Sequence, residues 1–329
     1  MTIQQYSENY IENIKMSRTE NTAHAYKNAI SLFFLVLRER WIDPETELVI
    51  SLTEDSIAWF AAYLKNYSPA TERLYLQAVK GFYEYLAAEK VNAINLPRLK
   101  LLLRQRSRRS GQRLPQFPRE EIEKVLTHVE TRSQAAYKLP DDKLRALRDR
   151  AFIITLADTG LRVSEACRLR RGDIDWNEGR AIIIGKGDKQ AIIRFSSRSM
   201  KAIKEYLNLR MKIDGSTGLP LQSLPLFARH DKGAGKKTKP ITTTTGRNLV
   251  AENVRFALGE NSERTITPHS FRHYFVTTVL RASGNLKLAQ ELARHTNISV
   301  TQRYAHLSDN ELDQGYSEIF DKENKNVLP

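Results

Sequence analysis

The chain has 329 residues, of which 41% are hydrophobic and 27% charged, the proportions of a soluble globular protein with room for two domains rather than one core. A formal net charge of +14 and a pI of about 9.7 favour a polyanionic partner, nucleic acid first among them. The single cysteine, Cys167, excludes an intramolecular disulfide and a cysteine-based zinc site, and within SEACRLR it reads as a small buried side chain. No apolar run reaches the roughly 18 residues of a membrane span. The opening MTIQQYSENY lacks the basic and apolar regions of a secretory signal, so a cytoplasmic, nucleoid-associated protein is expected.

In chain order, residues 19–89 read as three or four amphipathic helices. TAHAYKNAISLFFLVLRER places Tyr26, Ile30, Phe33, Phe34 and Leu37 on one stripe. LTEDSIAWFAAYLKN follows, with Thr53 as its expected N-cap ahead of Ser56. SPATERLYLQAVKGFYEYLAAEK opens on Ser68 and Pro69, a cap and a first-turn proline, and groups Leu74, Ala78 and Phe82. These elements suffice for a small all-helical domain. Between Arg98 and Arg113 stand Arg98, Lys100, Arg104, Arg106, Arg108, Arg109 and Arg113 with no acid among them, bracketed by Pro97, Pro115 and Pro118. The stretch reads as an extended basic linker suited to phosphate contact, the alternative being a solvated tether.

From Pro118 a second domain is expected. PREEIEKVLTHV is a helix with acids in its first turn. LRALRDRAFIITLADTGLRVSEACRL reads as two helices joined at Asp158, Thr159 and Gly160, with Gly160 ending the first. GRAIIIGKGDKQAIIRF is two β-branched runs around residues 185–188, a hairpin signal. Helices return in SMKAIKEYLNLRM, TGRNLVAENVRFAL, HSFRHYFVTTVLRAS, LKLAQELARH and SVTQRYAHL, and residues 214–245 read as loop. The expected fold is mainly α, with a small antiparallel β-sheet in the second domain.

The chemistry concentrates in the last third, where His269, Arg272, His295 and Tyr304 follow in order, with Arg162 and Lys186 upstream. A phenol has a pKa of about 10, so it needs neighbours that take its proton or stabilise the phenolate. Attack on a phosphodiester also builds negative charge that arginine forks match in pairs. The set therefore suggests covalent DNA strand transfer. Taken singly, Arg162 could simply pair with Glu165 at i+3, and Lys186 could idle at a hairpin tip. His269 and Arg272, three apart on a helix begun by Pro268, share a face, whereas His273 is expected to point elsewhere. Zinc is disfavoured, because no carboxylate or cysteine joins the four histidines of residues 269–306 at ligand spacing. Paired magnesium is disfavoured by the lack of clustered Asp and Glu there. No cofactor and no metal are expected.

TGLRVSE, IGKGDK, PHSFRHYF, ARHTNIS and TQRYAH together resemble the tyrosine recombinase (phage integrase) family, most closely its Xer-like branch, in order and spacing from about Thr19 to Leu307. The resemblance implies a two-domain fold: a helical, SAM-like core-binding domain over residues 1–97, a basic linker over 98–117, a catalytic breaking-rejoining domain over 118–307, and a tail over 308–329. It implies that Arg162 and Arg272 clamp the scissile phosphate and that Lys186 protonates the leaving 5′-oxygen. His269 acts as acid and base, His295 hydrogen-bonds a non-bridging oxygen, and Tyr304 forms the 3′-phosphotyrosyl bond. Glu165 supports the site from behind. Because the bond energy is kept in the protein–DNA link, religation needs neither ATP nor metal. Duplex DNA with an inverted-repeat core site is the implied partner, bound by a homo-tetramer across two sites and by a monomer or dimer when free. Arg73, Lys80, Arg104, Arg106, Arg108 and Arg109 are the candidate DNA contacts.

Two departures matter. Arg294 precedes His295 where the family usually has glycine, which could perturb how closely that helix start approaches the phosphate. In the tail, Leu312, Tyr316, Ile319 and Phe320 form an apolar stripe that either docks on a neighbouring protomer or folds back on its own domain. No N-terminal arm-binding domain is recognisable. The competing readings are a type IB topoisomerase or telomere-resolving enzyme, and a non-catalytic DNA-binding regulator.

Overall fold

The computed structural model of the chain describes residues 1–108, 118–184, 190–231, 238–262 and 266–294. These fall into two compact units, Met1–Arg113 and Leu114–Pro329. Helix α1 (Ile3–Ser17) precedes the first expected helix. It is started by a capping box in which Thr2 Oγ1 accepts from Gln5 N and Gln5 Oε1 accepts from Thr2 N. It buries Ile3, Tyr10 and Ile11. Helix α2 (Glu20–Arg38) starts at the Thr19 cap and buries Ile30, Phe33 and Leu37, while Tyr26 and Phe34 pack at the edge of the same core.

Helix α3 (Asp55–Tyr63) begins later than expected, with Glu54 rather than Thr53 at its N-cap and no side-chain cap. The Thr53 carbonyl instead accepts from Tyr83 Oη at 2.8 Å. Helix α4 (Pro69–Ala88) does start on Ser68, whose hydroxyl accepts from Thr71 N at 3.1 Å. Its buried stripe is Leu76, Val79, Phe82, Tyr83 and Leu86, and Leu74 is exposed. Ala78 and Phe82 are buried as expected, and packing against α2 and α3 turns the stripe so that Leu74 falls outside it.

The expected extended linker begins instead as helix α5 (Leu96–Arg106), capped by Asn95 with Pro97 in its first turn. Leu99 is fully buried, and Leu102 and Leu103 lie against the core of the first unit. The arginines disguised this leucine stripe. Acids remote in sequence meet some of the cations: Arg98 pairs with Glu54 at 3.2 Å and Asp55 at 2.7 Å, and Arg108 pairs with the buried Glu72.

In the second unit, α6 (Arg119–Gln134) and α7 (Pro140–Thr159) lead into the short α8 (Val163–Arg168). A three-stranded antiparallel sheet follows: β1 (Ile174–Asp175), β2 (Arg180–Ile184) and β3 (Gln190–Arg194), with Ile182 opposite Ile192. Then come α9 (Ser197–Gly215), α10 (Thr243–Leu258), α11 (Pro268–Ser283) and α12 (Leu286–Ala293). Helix α7 is buried along nearly its whole length and packs on α6, α9 and α11. The stretch expected as loop after α9 has a buried segment at residues 224–228, including Leu226 and Phe227. The fully buried Arg210 holds it, donating to the carbonyls of Pro225 at 2.8 Å and Leu226 at 2.9 Å while pairing with Asp214. Cys167 is buried as expected, which pushes its thiol pKa up to about 12. Among the described residues no helix is long and apolar enough to cross a membrane.

Candidate active site

Helix α7 stops because Gly160 adopts the left-handed conformation, φ +60°, and the chain turns to make Arg162 the N-cap of α8. Helix α11 lies directly on this turn: a β-carbon at Gly160 would stand 2.5 Å from Phe275 Cδ1. Gly160→Ala is therefore expected to lose roughly 2–4 kcal/mol, combining left-handed strain with overpacking. Urea unfolding checks this, and a variant as stable as the parent would refute the close packing.

At the turn, Glu165 is buried and holds Arg162 twice: its Oε2 accepts from Arg162 N at 2.9 Å and its Oε1 from Arg162 Nη1 at 2.8 Å. Burial alone would raise the Glu165 pKa. The Arg162 N–H, the Arg162 guanidinium and the Arg294 charge outweigh it and hold the carboxyl below its ordinary value. The bland i+3 pairing therefore exists, and it also orients a half-exposed guanidinium whose rear is tied to a carboxylate.

On α11, Thr267 and Pro268 start the helix and place His269 and Arg272 one turn apart. Arg272 is 3% exposed, and its Nη1 and Nη2 donate to the carbonyls of Gly160 and Ala293. Two main-chain oxygens thus set the plane of a buried fork. The His269 residue is exposed by area, yet partial desolvation of its ring, then the charges of Arg272 and Arg162, hold its pKa below the usual histidine value. A neutral imidazole near pH 7 can accept a proton. His273 does not point elsewhere as expected: its ring stands edge-on to His269, centroids 4.2 Å apart, because residues four apart on a helix are neighbours.

The expected set is thus brought together for Arg162, Glu165, His269 and Arg272. Lys186, His295 and Tyr304 lie outside the described residues, as do Arg109 and residues 308–329 with their stripe of Leu312, Tyr316, Ile319 and Phe320. An open cleft of about 800 Å³ is lined by Glu165 and Arg168 and by Ile184 and Gln190, the facing ends of β2 and β3. From the sequence, Arg294 is expected only to perturb the helix start at His295. The structure puts its side chain on Gly160 O and Glu165 Oε2, both at 3.3 Å. An arginine at a position that asks for glycine was the signal. Among the described residues, no group of three or more His, Cys, Asp or Glu stands together as a metal site.

In the first unit, Arg73, Lys80 and Arg104 line one cleft of about 260 Å³ with Lys100, between α4 and α5. Lys80 also pairs with Glu84 at 2.9 Å. Arg104 and Arg106 are exposed, whereas Arg108 is engaged internally by Glu72 and by the carbonyls of Leu64 and Tyr67.

The family model described as "Phage integrase family" matches residues 116–311. Tyrosine recombinase XerC of Bacillus subtilis (strain 168) is 31% identical over 300 residues, covering 90% of this chain and 88% of the relative. Tyrosine recombinase XerC of Thermodesulfovibrio yellowstonii is 28% identical over 319 residues, 96% of this chain and 95% of the relative. Among solved structures, XerH site-specific recombinase bound to palindromic difH substrate has the same fold, with a TM-score of 0.64 at 21% identity over 90% of this chain and 79% of that one. The Tn1549 transposon integrase in complex with a circular intermediate DNA superposes with a TM-score of 0.65 at 19% identity, over 97% and 99% of the two chains.

Proposed function

We infer the chemistry of the site from its kinship: the chain belongs to the phage integrase family and is a Xer-like tyrosine recombinase, an enzyme that cleaves and rejoins DNA at specific sites. Its partner is double-stranded DNA, in keeping with a net charge of +14. The proposed reaction runs on six residues. Tyr304 attacks the phosphorus, its phenolic proton passing to His269 as the O–P bond forms. The bond to the 5′-oxygen breaks, and Lys186 supplies the proton that the leaving oxygen takes. Arg162 and Arg272 hold the non-bridging oxygens, joined by His295, and neutralise the charge built in the transition state. Glu165 holds Arg162 in place. Reversal with a new 5′-hydroxyl rejoins the strand.

The observation that carries this reading is that Glu165 holds Arg162 and the Gly160 carbonyl holds Arg272 at one turn, with the charges of both lowering the pKa of His269. For the organisation, we assign residues 1–97 to core-site binding, 98–117 to the join, 118–307 to catalysis and 308–329 to contact between protomers. Arg73 and Lys80 in the first part and Arg104, Arg106 and Arg109 in the join are the proposed phosphate contacts, whereas Glu72 draws Arg108 out of that set. A tetramer across two inverted-repeat sites is the proposed working assembly, acting in the cytoplasm on nucleoid DNA.

The test uses inverted-repeat duplexes enriched by binding to the protein, nicked so that cleavage releases a short oligonucleotide and traps the enzyme. In EDTA, a denaturing gel is expected to show a covalent adduct, and peptide mapping to place the DNA on Tyr304. Binding without adduct on every nicked target would restore the non-catalytic regulator.

A further inference from the structure

Arg294 caps α12 in the left-handed conformation (φ 56°, ψ 43°), one of three non-glycine residues with positive φ among those described. Glycine meets that conformation without steric cost, and a long side chain does not. The side chain is nevertheless drawn inward, 12% exposed, and its Nη2 donates to Gly160 O and Glu165 Oε2, both at 3.3 Å. Its Nη1 is buried with no hydrogen-bond partner among the described residues. Burial first, and the nearby Arg162 charge, lower its pKa against the help of Glu165. Strain at the backbone and crowding by a like charge both act against stability. Against these costs stand the two hydrogen bonds of its guanidinium.

What it does is tie elements together. Arg272 reaches from α11 to Gly160 O and Ala293 O, and Arg294 reaches from the end of α12 to Gly160 O and Glu165. The two guanidiniums share one carbonyl. They fasten the residue immediately before His295 to the turn that carries Arg162. Arg294 also shares Glu165 with Arg162, so this carboxylate is divided between two cations rather than neutralising one. We propose that Arg294 is a positioning residue for strand cleavage, holding the end of α12 in register with the Arg162–Glu165 pair. The proposal rests on the recombinase reading above.

The experiment compares the parent enzyme, Arg294→Gly and Arg294→Lys. It measures melting temperature, DNA affinity, and adduct formation on the nicked substrate at saturating DNA. Arg294→Gly is expected to melt no lower than the parent and to bind DNA within about threefold. It should form adduct roughly 10- to 100-fold more slowly, the cost of a small misplacement near the reacting groups. Arg294→Lys, which keeps a cation for Glu165 but cannot span to Gly160, falls between the two. Cleavage by Arg294→Gly at the parent rate overturns the proposal. So does a loss of cleavage matched by a fall in melting temperature with no recovery in Arg294→Lys, which would make Arg294 structural only. Absence of adduct from the parent itself would instead remove the recombinase chemistry of the site.

Discussion

Tyr304→Phe is expected to bind core-site DNA as the parent does and to form no covalent adduct at all. The substitution removes one oxygen and keeps the ring, so affinity should stay within about threefold. The chemistry has no substitute for that oxygen. A phenol with a pKa of about 10 becomes a competent nucleophile only where a base takes its proton and cations stabilise the developing charge. With Arg162, His269 and Arg272 intact, the variant retains the machinery and lacks the atom that bonds to phosphorus. The nicked duplex and denaturing gel used for the parent decide the matter, with a filter or mobility-shift assay for binding. Adduct persisting in Tyr304→Phe would assign the nucleophile to another residue.

Arg272 carries the second large effect, and both of its parts can be measured. Arg272→Gln should slow adduct formation by roughly 10²–10³-fold, the usual cost of losing one donor aimed at transition-state charge. It should also lower stability by about 1–3 kcal/mol, because the buried Ala293 carbonyl loses its partner. Arg272→Lys separates charge from geometry: the ammonium keeps the positive charge, but a compact point donor cannot span two carbonyls as the planar fork does. Cleavage should therefore stay impaired in Arg272→Lys. His269 provides an independent readout, since the Arg272 charge is the second cause of its lowered pKa. The His269 pKa should rise in Arg272→Gln and remain low in Arg272→Lys, as read from the imidazole resonances during an NMR pH titration. Parent-like cleavage in Arg272→Lys, or an unmoved His269 pKa in Arg272→Gln, would contradict this account.

Several elements could be read without coordinates because the signals are local. Ser68 and Pro69 start α4, Gly160 ends α7, Pro268 opens α11, and β-branched runs on either side of residues 185–189 pair as a hairpin. In each case one or two side chains decide the backbone through a cap, a missing N–H or an allowed φ. The ordered blocks from TGLRVSE to TQRYAH likewise carry the resemblance to the recombinase family in the sequence alone. Misreadings arose where a partner lay far away in sequence. Arg98 and Arg108 belonged to an apparently unbalanced basic run until Glu54, Asp55 and Glu72 met them. The leucines of α5 show no core to join in the sequence, and of the group expected on α4 only Leu74 lies outside the buried stripe.

The residue types and spacing of the chemical groups, the starts of α4 and α11, the end of α7 and the basic character are thus properties of the one-dimensional chain. They depend on identity and on neighbours within about one helical turn. Only the tertiary structure decided that the Gly160 carbonyl is the point on which Arg272 and Arg294 converge, and that Glu165 is shared by two arginines. It also decided which cations are free to meet solvent and which are matched from across the fold. The matched cations depend on contacts 36–44 positions apart and the shared carbonyl and carboxylate on contacts more than a hundred apart, and no local spacing encodes a distance closed by packing two helices onto one turn.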